Sequence, residues 1–597
     1  MKMNRIAKNI ALGVILMTSV SSCDLEVVPP SNIASETFWK TEKDAWYNLN
    51  ACYSACIPGI NIDSDTYSDD VYCQYPWESA GSTFITNGFG AGNDSGWNFE
   101  SIRKTNIFLA EVDKCPISDA LKTRMKAEVR CMRAWEYLNK TLTFGKVPLI
   151  TNVPKYDDPA LPRTDVATVR KFVLEELTAV AGILPENYSG GYLNEKGRLT
   201  KYAALALKAR AALLFGDNTT AESTAAEVMK GGFSLFKVTT LTEAQQLELD
   251  EMDQLVDFKA LGIDKEAFGL GMFSYEALWH SENGNPDNPE YIITRQHTAA
   301  KEQEDGTRYT RMRPSQLGGW SSLTPTQRLV DSYWTIKGET PELPSPEKRG
   351  AAYTEMKTDF DNYLKSHANQ KPSPSISTFV KEIMANGKFK TYEYMKEFRN
   401  RDVRMYASIL FPFKSWYETD FGKDFVYEWK KGGNNESFTG FSFRKLCCLN
   451  KDSNIDADEG SATGDFPSFR YAEILLIFAE ARTNNTGFDA QVQSALNELR
   501  TRCGMPAVPT TLSKEDGLKL IRAERRIELA GEGARADDLV RYDKAYNNAQ
   551  INNIKLLKPD NELILTMVWD ERMRLRPIPQ SAMDVNSLLK SDQNPGY

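Results

Sequence analysis

Residues 200–216 read Thr200-Lys-Tyr-Ala-Ala-Leu-Ala-Leu-Lys-Ala-Arg-Ala-Ala-Leu-Leu-Phe-Gly216. Six alanines in this helical pattern would let neighbouring helices approach one another closely. A shorter helical pattern at 219–230 follows after a tight turn. Together the two segments predict a pair of antiparallel helices as the building unit of this chain.

The same periodicity recurs on the N-terminal side of this pair. It predicts helices at residues 37–56, 97–113, 118–143 and 166–184, the last with Thr164-Asp165 as its N-cap and Pro185 as its stop. Such pairs resemble tetratricopeptide hairpins, although no fixed repeat of about 34 residues is present. The sequence therefore predicts a mainly α fold, a scaffold of tetratricopeptide-like helical hairpins without a regular solenoid.

Regular helices return near the C-terminus after an irregular centre. Tyr471, Ile474, Leu475, Phe478 and Ala479 form one helical stripe, and helical patterns at 488–502 and 514–531 follow. Between about 231 and 465 the chain is rich in Gly, Pro, Asn and Ser, with brief strand-like pieces such as 291–294. Because long loops in compact proteins are usually functional, this stretch is the predicted ligand side.

The first residues have the layout of a bacterial lipoprotein signal. Lys2, Arg5 and Lys8 precede an uncharged run, 10–20, which is too short to cross a bilayer and leads through small residues to Cys23. The pattern predicts cleavage before Cys23, acylation of that cysteine and a membrane-anchored protein outside the cytoplasm. An ordinary signal peptide with an incidental cysteine is the alternative.

These boundaries divide the chain into a signal peptide (1–22), an N-terminal helical part (23–235), a loop-rich region (236–465) and a C-terminal helical part (466–597). The last three are expected to form one compact unit.

The mature chain is acidic. Removal of the signal peptide takes away three of the 72 basic residues, which leaves 69 against 81 acidic ones and a net charge of −12. This balance excludes non-specific binding of nucleic acid, which needs clustered cations.

Catalytic and metal-binding patterns are missing from the sequence. It contains no GxSxG, Walker, HExxH or Rossmann motif and only three histidines. Glu473 and Glu480 are about 10.5 Å apart along one helix, beyond the roughly 5–9.5 Å of a glycosidase pair. They are expected to pair with arginines, as are Glu524, Glu528, Arg525, Arg526, Arg535 and Arg541. No enzyme activity, cofactor or metal is predicted; Asp63-Ser-Asp65 and Asp69-Asp70 leave calcium as a weaker alternative.

A series of short motifs runs along the chain. Two of them are Arg470-Tyr-Ala-Glu-Ile-Leu-Leu-Ile-Phe-Ala-Glu480 and Gln593-Asn-Pro-Gly-Tyr597. The others lie at 36–44, 127–137, 144–149, 197–210, 289–293, 325–331, 400–404, 497–502 and 524–541. Together and in this order, the motifs resemble those of the SusD/RagB family of nutrient-binding surface lipoproteins. The resemblance covers nearly the whole chain; it departs at Asp24-Leu-Glu26, where many relatives have Phe-Leu, and in its number of cysteines.

The resemblance implies a partner and a location. Family members form a lid over a TonB-dependent barrel transporter of the SusC type and capture oligosaccharides, whereas the RagB branch handles peptides. Asp24 and Glu26 after Cys23 look like the signal that sends such lipoproteins to the cell surface. The chain is therefore expected to be lipid-anchored in the outer membrane, on its outer face.

Aromatic residues in loop-like sequence are the candidate ligand contacts, because sugars stack their C–H faces on rings. The family places its ligand aromatics at positions that correspond here to about 66–99 and 297–322. The candidates are Tyr72, Tyr75, Trp77, Trp97, Trp279, Tyr309 and Trp320. A core position is the alternative for Trp97, Trp279 and Trp320. The function expected is capture of oligosaccharides; a peptide binder of the RagB type and a scaffold that binds only protein are the alternatives.

Overall fold

The computed structural model describes residues 38–59, 61–155, 157–188, 195–280, 283–296, 310–417, 425–447 and 465–597. Helices and strands are numbered in chain order over these residues. Cys23 and Tyr309 lie outside the described residues, as does the whole signal segment.

The N-terminal part is built from helices, and side chains cap the starts of α1, α5, α7 and α8. They are α1 Glu42–Cys56, α2 Ile62–Asp65, α3 Gly81–Ile85, α4 Glu100–Glu111, α5 Asp119–Phe144, α6 Val166–Ala181, α7 Lys201–Phe215 and α8 Asn218–Val228. Ser118 accepts from the Leu121 N–H at the start of α5, and Thr200 accepts from the Ala203 N–H at α7. Each cap satisfies an amide that the first helical turn leaves unbonded. The helices predicted from periodicity are present, with ends shifted by a few residues.

The predicted antiparallel pair is α7 with α8. Gly216 adopts the left-handed conformation, φ 84°, at the end of α7, and Asp217 caps α8 at once. A residue with a side chain adopts that conformation only at a cost, so the glycine allows the tight reversal. Ala203 and Ala206 on α7 are fully buried, and α7 packs against both α6 and α8.

The C-terminal helices complete the same core. They are α17 Tyr471–Thr486, α18 Ala490–Arg502, α19 Lys514–Glu528, α20 Ala534–Arg541, α21 Lys544–Ile551, α22 Gln580–Val585 and α23 Ser587–Lys590. Helix α17 packs against α7, α8, α18 and α19, and its Leu475 and Ile477 are fully buried. One apolar cluster combines residues of the first part, from Trp39 to Leu235, with residues 469–529. The two helical ends of the chain therefore share a core, and the fold is mainly helical as predicted.

The centre carries more helix than its composition indicated. Its described helices are α9 Glu243–Glu251, α10 Phe258–Leu261, α11 Lys265–Ala277, α12 Gln327–Ser332, α13 Pro346–Ser366, α14 Ile376–Ala385, α15 Glu393–Lys396 and α16 Val403–Ser408. Helix α13 has Ser345 as its N-cap and Pro346 in its first turn, and it buries Tyr353 and Phe360. Most of these helices are short, and they contribute to a second apolar cluster.

Short strands join distant segments. They are β1 Val71–Cys73, β2 Tyr291–Arg295, β3 Leu323–Pro325, β4 Ile409–Leu410, β5 Ser415–Trp416, β6 Phe425–Val426, β7 Ser442–Phe443, β8 Phe466–Arg470, β9 Lys555–Leu557 and β10 Leu563–Thr566. They pair antiparallel as β1–β3, β2–β8, β4–β7, β5–β6 and β9–β10. The β2–β8 pair, with Tyr291 opposite Arg470, ties the centre to the start of α17.

Buried ion pairs confirm the structural role predicted for the charged helical motifs. Arg210 Nε donates to Glu473 at 2.9 Å, and Arg541 Nη2 donates to Glu480 at 2.8 Å. Paired with Asp69, Arg535 fastens α20 to the segment before β1. Such charge-assisted bonds fix the orientation of one segment against another.

Two further findings concern cysteines and the membrane. Cys52, Cys56, Cys73, Cys115, Cys131, Cys447 and Cys503 are buried and unbridged. Over the ranges given above, none of the helices combines the length and the apolar character that crossing a bilayer requires.

Candidate functional site

Pairing of β1 with β3 brings together two of the aromatic segments selected from sequence. Tyr72 lies opposite Thr324 in the ladder. Just beyond it, the Gln74 N–H donates to Ser322 O at 3.1 Å, and Gln74 Nε2 lies 3.5 Å from Trp320 O. The segment that carries Tyr75 and Trp77 is therefore the neighbour of the segment that carries Trp320.

A tight turn presents two rings at the end of β1. The Glu78 N–H donates to Tyr75 O at 3.0 Å, closing a four-residue turn with Pro76 at its second position, which the fixed φ of proline favours. The Tyr75 and Trp77 rings stack with centroids 4.9 Å apart and planes 23° apart. Trp77 is 79% exposed, so one ring of the pair faces solvent at the apex of the turn.

A buried charge cluster anchors this turn from below. Arg311 Nε donates to Glu78 at 2.6 Å, and its Nη2 donates to Asp63 at 2.7 Å. The second oxygen of Glu78 accepts from the Ser322 hydroxyl at 3.0 Å. Because these bonds join the turn to β3 and to the segment at Asp63, the ring pair sits on a fixed base.

Trp320 is held by its backbone. Its N–H donates to Thr310 O at 2.8 Å, and the next N–H, of Ser321, donates to Arg313 O at 3.0 Å. Gly319 passes so close to Arg313 that a Cβ would lie 2.1 Å from the Arg313 carbonyl oxygen. Glycine is thus required at 319 for the position of Trp320, whose side chain is half-buried.

A cavity of about 250 Å³ adjoins the ring pair, lined by Gln74, Tyr75 and the segment 429–438. The Tyr75 hydroxyl donates to Asn435 Oδ1 at 3.3 Å. Phe438 is 43% exposed and stacks on Tyr72, centroids 6.1 Å apart. Burial raises the pKa of the Tyr72 phenol. Tyr72 therefore lies below the surface, and Phe438 supplies a further exposed ring.

The two lysines that line this cavity are already paired with carboxylates. Lys431 Nζ lies 2.5 Å from both Asp560 and Glu562, and Lys558 Nζ lies 2.6 Å from Glu562 and 4.5 Å from the Phe438 centroid. These two lysines lower the pKa of the Glu562 carboxyl to about 2. Polar side chains thus surround a ring-lined recess, as at sites that bind hydroxyl-rich ligands.

The other sequence candidates lie elsewhere. Trp97 is partly buried and packs edge-on against Phe144, centroids 4.8 Å apart, at the edge of the helical core. Trp279 is buried beneath Lys445 and Arg470. Trp279 therefore occupies the core position named as its alternative, and Trp97 does so only in part. Tyr309 is outside the described residues.

Sequence reasoning missed the contribution of residues 429–438. This segment reads Trp429-Lys-Lys-Gly-Gly-Asn-Asn-Glu-Ser-Phe438, a loop signature with an aromatic residue at each end. The sequence indicates that this segment is a loop, but its position beside Tyr75 depends on contacts between residues about 360 apart in the chain. Across the ranges that the structure describes, His, Cys, Asp and Glu residues form no group of three suited to a metal.

Comparison with known proteins agrees with this architecture. A family model described as the SusD family matches residues 276–597, and the chain belongs to that family. SusD-like protein P38 of Formosa agariphila is 22% identical over 566 residues, which are 90% of this chain and 92% of that protein. A SusD-like protein of Bacteroides ovatus is 25% identical over 219 residues, 34% of this chain and 38% of that protein.

Solved structures show the same fold. A SusD-like protein of Bacteroides fragilis superposes with a TM-score of 0.71 at 24% identity, covering 94% of this chain and 98% of its own. A SusD-like carbohydrate binding protein of the same species gives 0.68 at 21% identity, covering 93% and 100%. A laminarin binding SusD-like protein gives 0.56 at 20% identity, covering 94% and 100%.

Proposed function

We propose that this protein is a cell-surface lipoprotein that binds oligosaccharides and delivers them to a TonB-dependent, SusC-like outer-membrane transporter. The observation that carries the proposal is the stacked Tyr75–Trp77 pair at the apex of an anchored turn, beside a ring-lined cavity. Sugar rings present C–H faces to aromatic platforms and hydroxyls to the polar groups around them. Because Trp77 is already exposed, a sugar can stack on it without displacing core residues.

Two solved relatives support the ligand class. One is a carbohydrate binding protein and another binds laminarin, and both have the fold of this chain. The ligand of this chain is expected to be a glycan as well, and its identity is left to the binding test.

The proposed role is binding without catalysis. A few stacked rings and polar contacts give modest affinity, and dissociation constants between about 1 µM and 1 mM correspond to roughly −8 to −4 kcal/mol. Such affinities allow release to a transporter. The proposed anchor is a lipid on Cys23, which would hold the protein at the outer membrane.

The test is an array that carries both glycans and peptides, probed with the soluble chain from residue 23 in which Cys23→Ser removes the lipid site. Saturable binding to one glycan class is expected. Binding to peptides alone would replace this proposal with the peptide-binding role. Binding to neither, together with co-purification of the barrel, would leave a docking scaffold.

A further inference from the structure

A second cavity lies inside the protein, away from the aromatic surface. Its volume is about 270 Å³, and it is lined by residues of α5, α7, β8, the junction of α19 with α20, and by Pro58, Gly59, Asn61 and Ser64. Tyr75, Trp77 and Phe438 do not line it. This cavity is therefore separate from the proposed glycan site.

Two arginines on its wall are only partly used by the protein. Arg210 donates to Glu473 through Nε at 2.9 Å and Nη2 at 2.5 Å, and Arg525 donates to Asp538 through Nε at 2.8 Å. Arg525 Nη2 is 3.6 Å from Glu473, beyond hydrogen-bond distance. In the described part of the chain, Arg210 Nη1 and Arg525 Nη2 donate no hydrogen bond, so each guanidinium group keeps a free donor.

Arg576 adds a third cation. Its guanidinium lies 3.9 Å from the centroid of the Tyr67 ring, and its one side-chain hydrogen bond to a described residue is a long one, 3.5 Å to Ser95 O. Among the residues that the structure describes, no carboxylate lies within ion-pair distance of it. A cation held by an aromatic face and a carbonyl retains most of its capacity to bind an anion.

Asp537 faces the same cavity without a direct partner among the described residues. Burial raises the pKa of its carboxyl to about 6, against the opposing charges of Arg210, Arg525 and Arg576. The carboxyl therefore interacts electrostatically with all three arginines, although it forms no hydrogen bond or ion pair with any of them. Such a gap between opposite charges is the place where a bridging solute or water is needed.

The charges and donors define the chemistry of that solute. Four arginines and three carboxylates line the cavity. Arg470 is paired with Glu532, Arg210 with Glu473, and Arg525 with Asp538 just outside the lining, which leaves Arg576 and Asp537 without a direct ionic partner among the described residues. Free guanidinium donors thus outnumber free acceptors. A planar carboxylate fits the guanidinium fork, and a hydroxyl on the same solute can donate to Asp537.

We propose that this cavity binds a small carboxylate-bearing solute, no larger than a single sugar ring, between Arg576, Arg525 and Arg210. The volume holds about nine waters at roughly 30 Å³ each, which bounds the size of the solute. The bound carboxylate joins α7, which carries Arg210, to α19, which carries Arg525, and to the segment that contains Arg576.

The test is titration calorimetry of the soluble chain with sodium acetate and with sodium glucuronate, at constant ionic strength, with glucose as the neutral control. Saturable binding of a carboxylate is expected, and glucose should give no heat of binding. No binding of either carboxylate, or equal binding of glucose, would overturn the proposal, because the cavity would then hold water or neutral solutes only.

Two variants locate the binding. Arg576→Gln removes a cation and should weaken carboxylate binding at least tenfold, whereas Asp537→Asn removes a repelling charge and should strengthen the binding of acetate, which has no hydroxyl to donate to Asp537. Arg572→Gln, whose side chain stacks on Tyr597 outside the cavity, is the matched control and should change nothing. If Arg576→Gln does not fold, Asp537→Asn decides alone, and unchanged or weaker binding in that variant contradicts the assignment.

Discussion

Replacement of Glu528 by Gln should destabilise the protein strongly although the two side chains have nearly the same shape. The Glu528 carboxylate accepts from Arg404 Nη1 at 3.1 Å, from Arg470 Nη1 at 2.8 Å and from Arg502 Nη2. Glu528 is fully buried. These contacts belong to a larger network of five cations and five carboxylates: Arg404, Arg470, Arg500, Arg502 and Lys445 with Asp402, Glu290, Glu524, Glu528 and Glu532.

The magnitude follows from the charge balance. The network is neutral, and Glu528→Gln leaves one buried positive charge without its counter-charge. Breaking a buried pair in this way costs about 3–5 kcal/mol, a large share of the roughly 5–15 kcal/mol that stabilises a typical domain. Burial opposes the negative charge of Glu528, but Arg502, Arg470 and Arg404 outweigh it and hold its pKa well below the usual range. The contribution is therefore complete above about pH 5 and declines as the pH falls through the native pKa.

The assay is urea unfolding at pH 7 of the wild type, Glu528→Gln and the control Glu393→Gln. Glu393 pairs with Lys396 on the surface, both more than half exposed, so its loss should cost less than about 1 kcal/mol. A second variant, Glu528→Gln with Arg502→Met, restores neutrality and should be less destabilised than the sum of the single changes. A Glu528→Gln protein within 1 kcal/mol of the wild type would refute this reasoning.

Three further outcomes are expected. Trp320→Ala should lower glycan affinity severalfold in calorimetry and leave the far-ultraviolet circular dichroism unchanged; undiminished affinity would remove Trp320 from the site. Gly319→Ala should have the same effect on affinity and also lower the unfolding midpoint, since its Cβ would lie 2.1 Å from a backbone oxygen; a wild-type midpoint would show that the loop can relax. Glu136→Gln should flatten the pH dependence of stability, because burial raises the native pKa of Glu136 from 4.5 to about 7. The wild type should therefore lose up to about 3 kcal/mol of unfolding free energy between pH 4.5 and 7. The same change in unfolding free energy between pH 5 and 8 in both proteins, measured by urea unfolding, would contradict this.

The helical scaffold was predictable because its signals are local. Ser118 and Thr200 are N-cap residues that indicate the starts of α5 and α7, and the apolar stripe from Tyr471 to Ala479 indicates α17. Helix α13 has equally local signals, Ser345 and Pro346, yet the Gly- and Pro-rich composition around it concealed them. Among the short strands, the sequence indicated 291–294, which is β2 in the structure. Strands β1 and β3 have no such local signal, because they form a ladder only when Val71 and Pro325 meet.

The aromatic site was predictable in part for the same reason. Tyr75 and Trp77 flank a proline in a polar stretch, and that pattern indicates an exposed turn. Whether an isolated tryptophan lies in the core depends on distant partners: Trp97 meets Phe144, and Trp279 meets Lys445. Phe438 could not be predicted as part of the site, because it contacts Tyr72 only in the tertiary structure.

The central claim is that the Tyr75–Trp77 pair binds the glycan. Its most direct test is calorimetric titration of the glycan selected on the array into the wild type, into Tyr75→Ala/Trp77→Ala, and into the control Val585→Ser/Leu588→Ser. The control removes two exposed apolar side chains that do not line the cavity beside the ring pair. The ring variant is expected to lose at least tenfold in affinity, about 1.4 kcal/mol, and to unfold like the wild type, whereas the control should bind normally. Equal affinity in the ring variant and the wild type would contradict it.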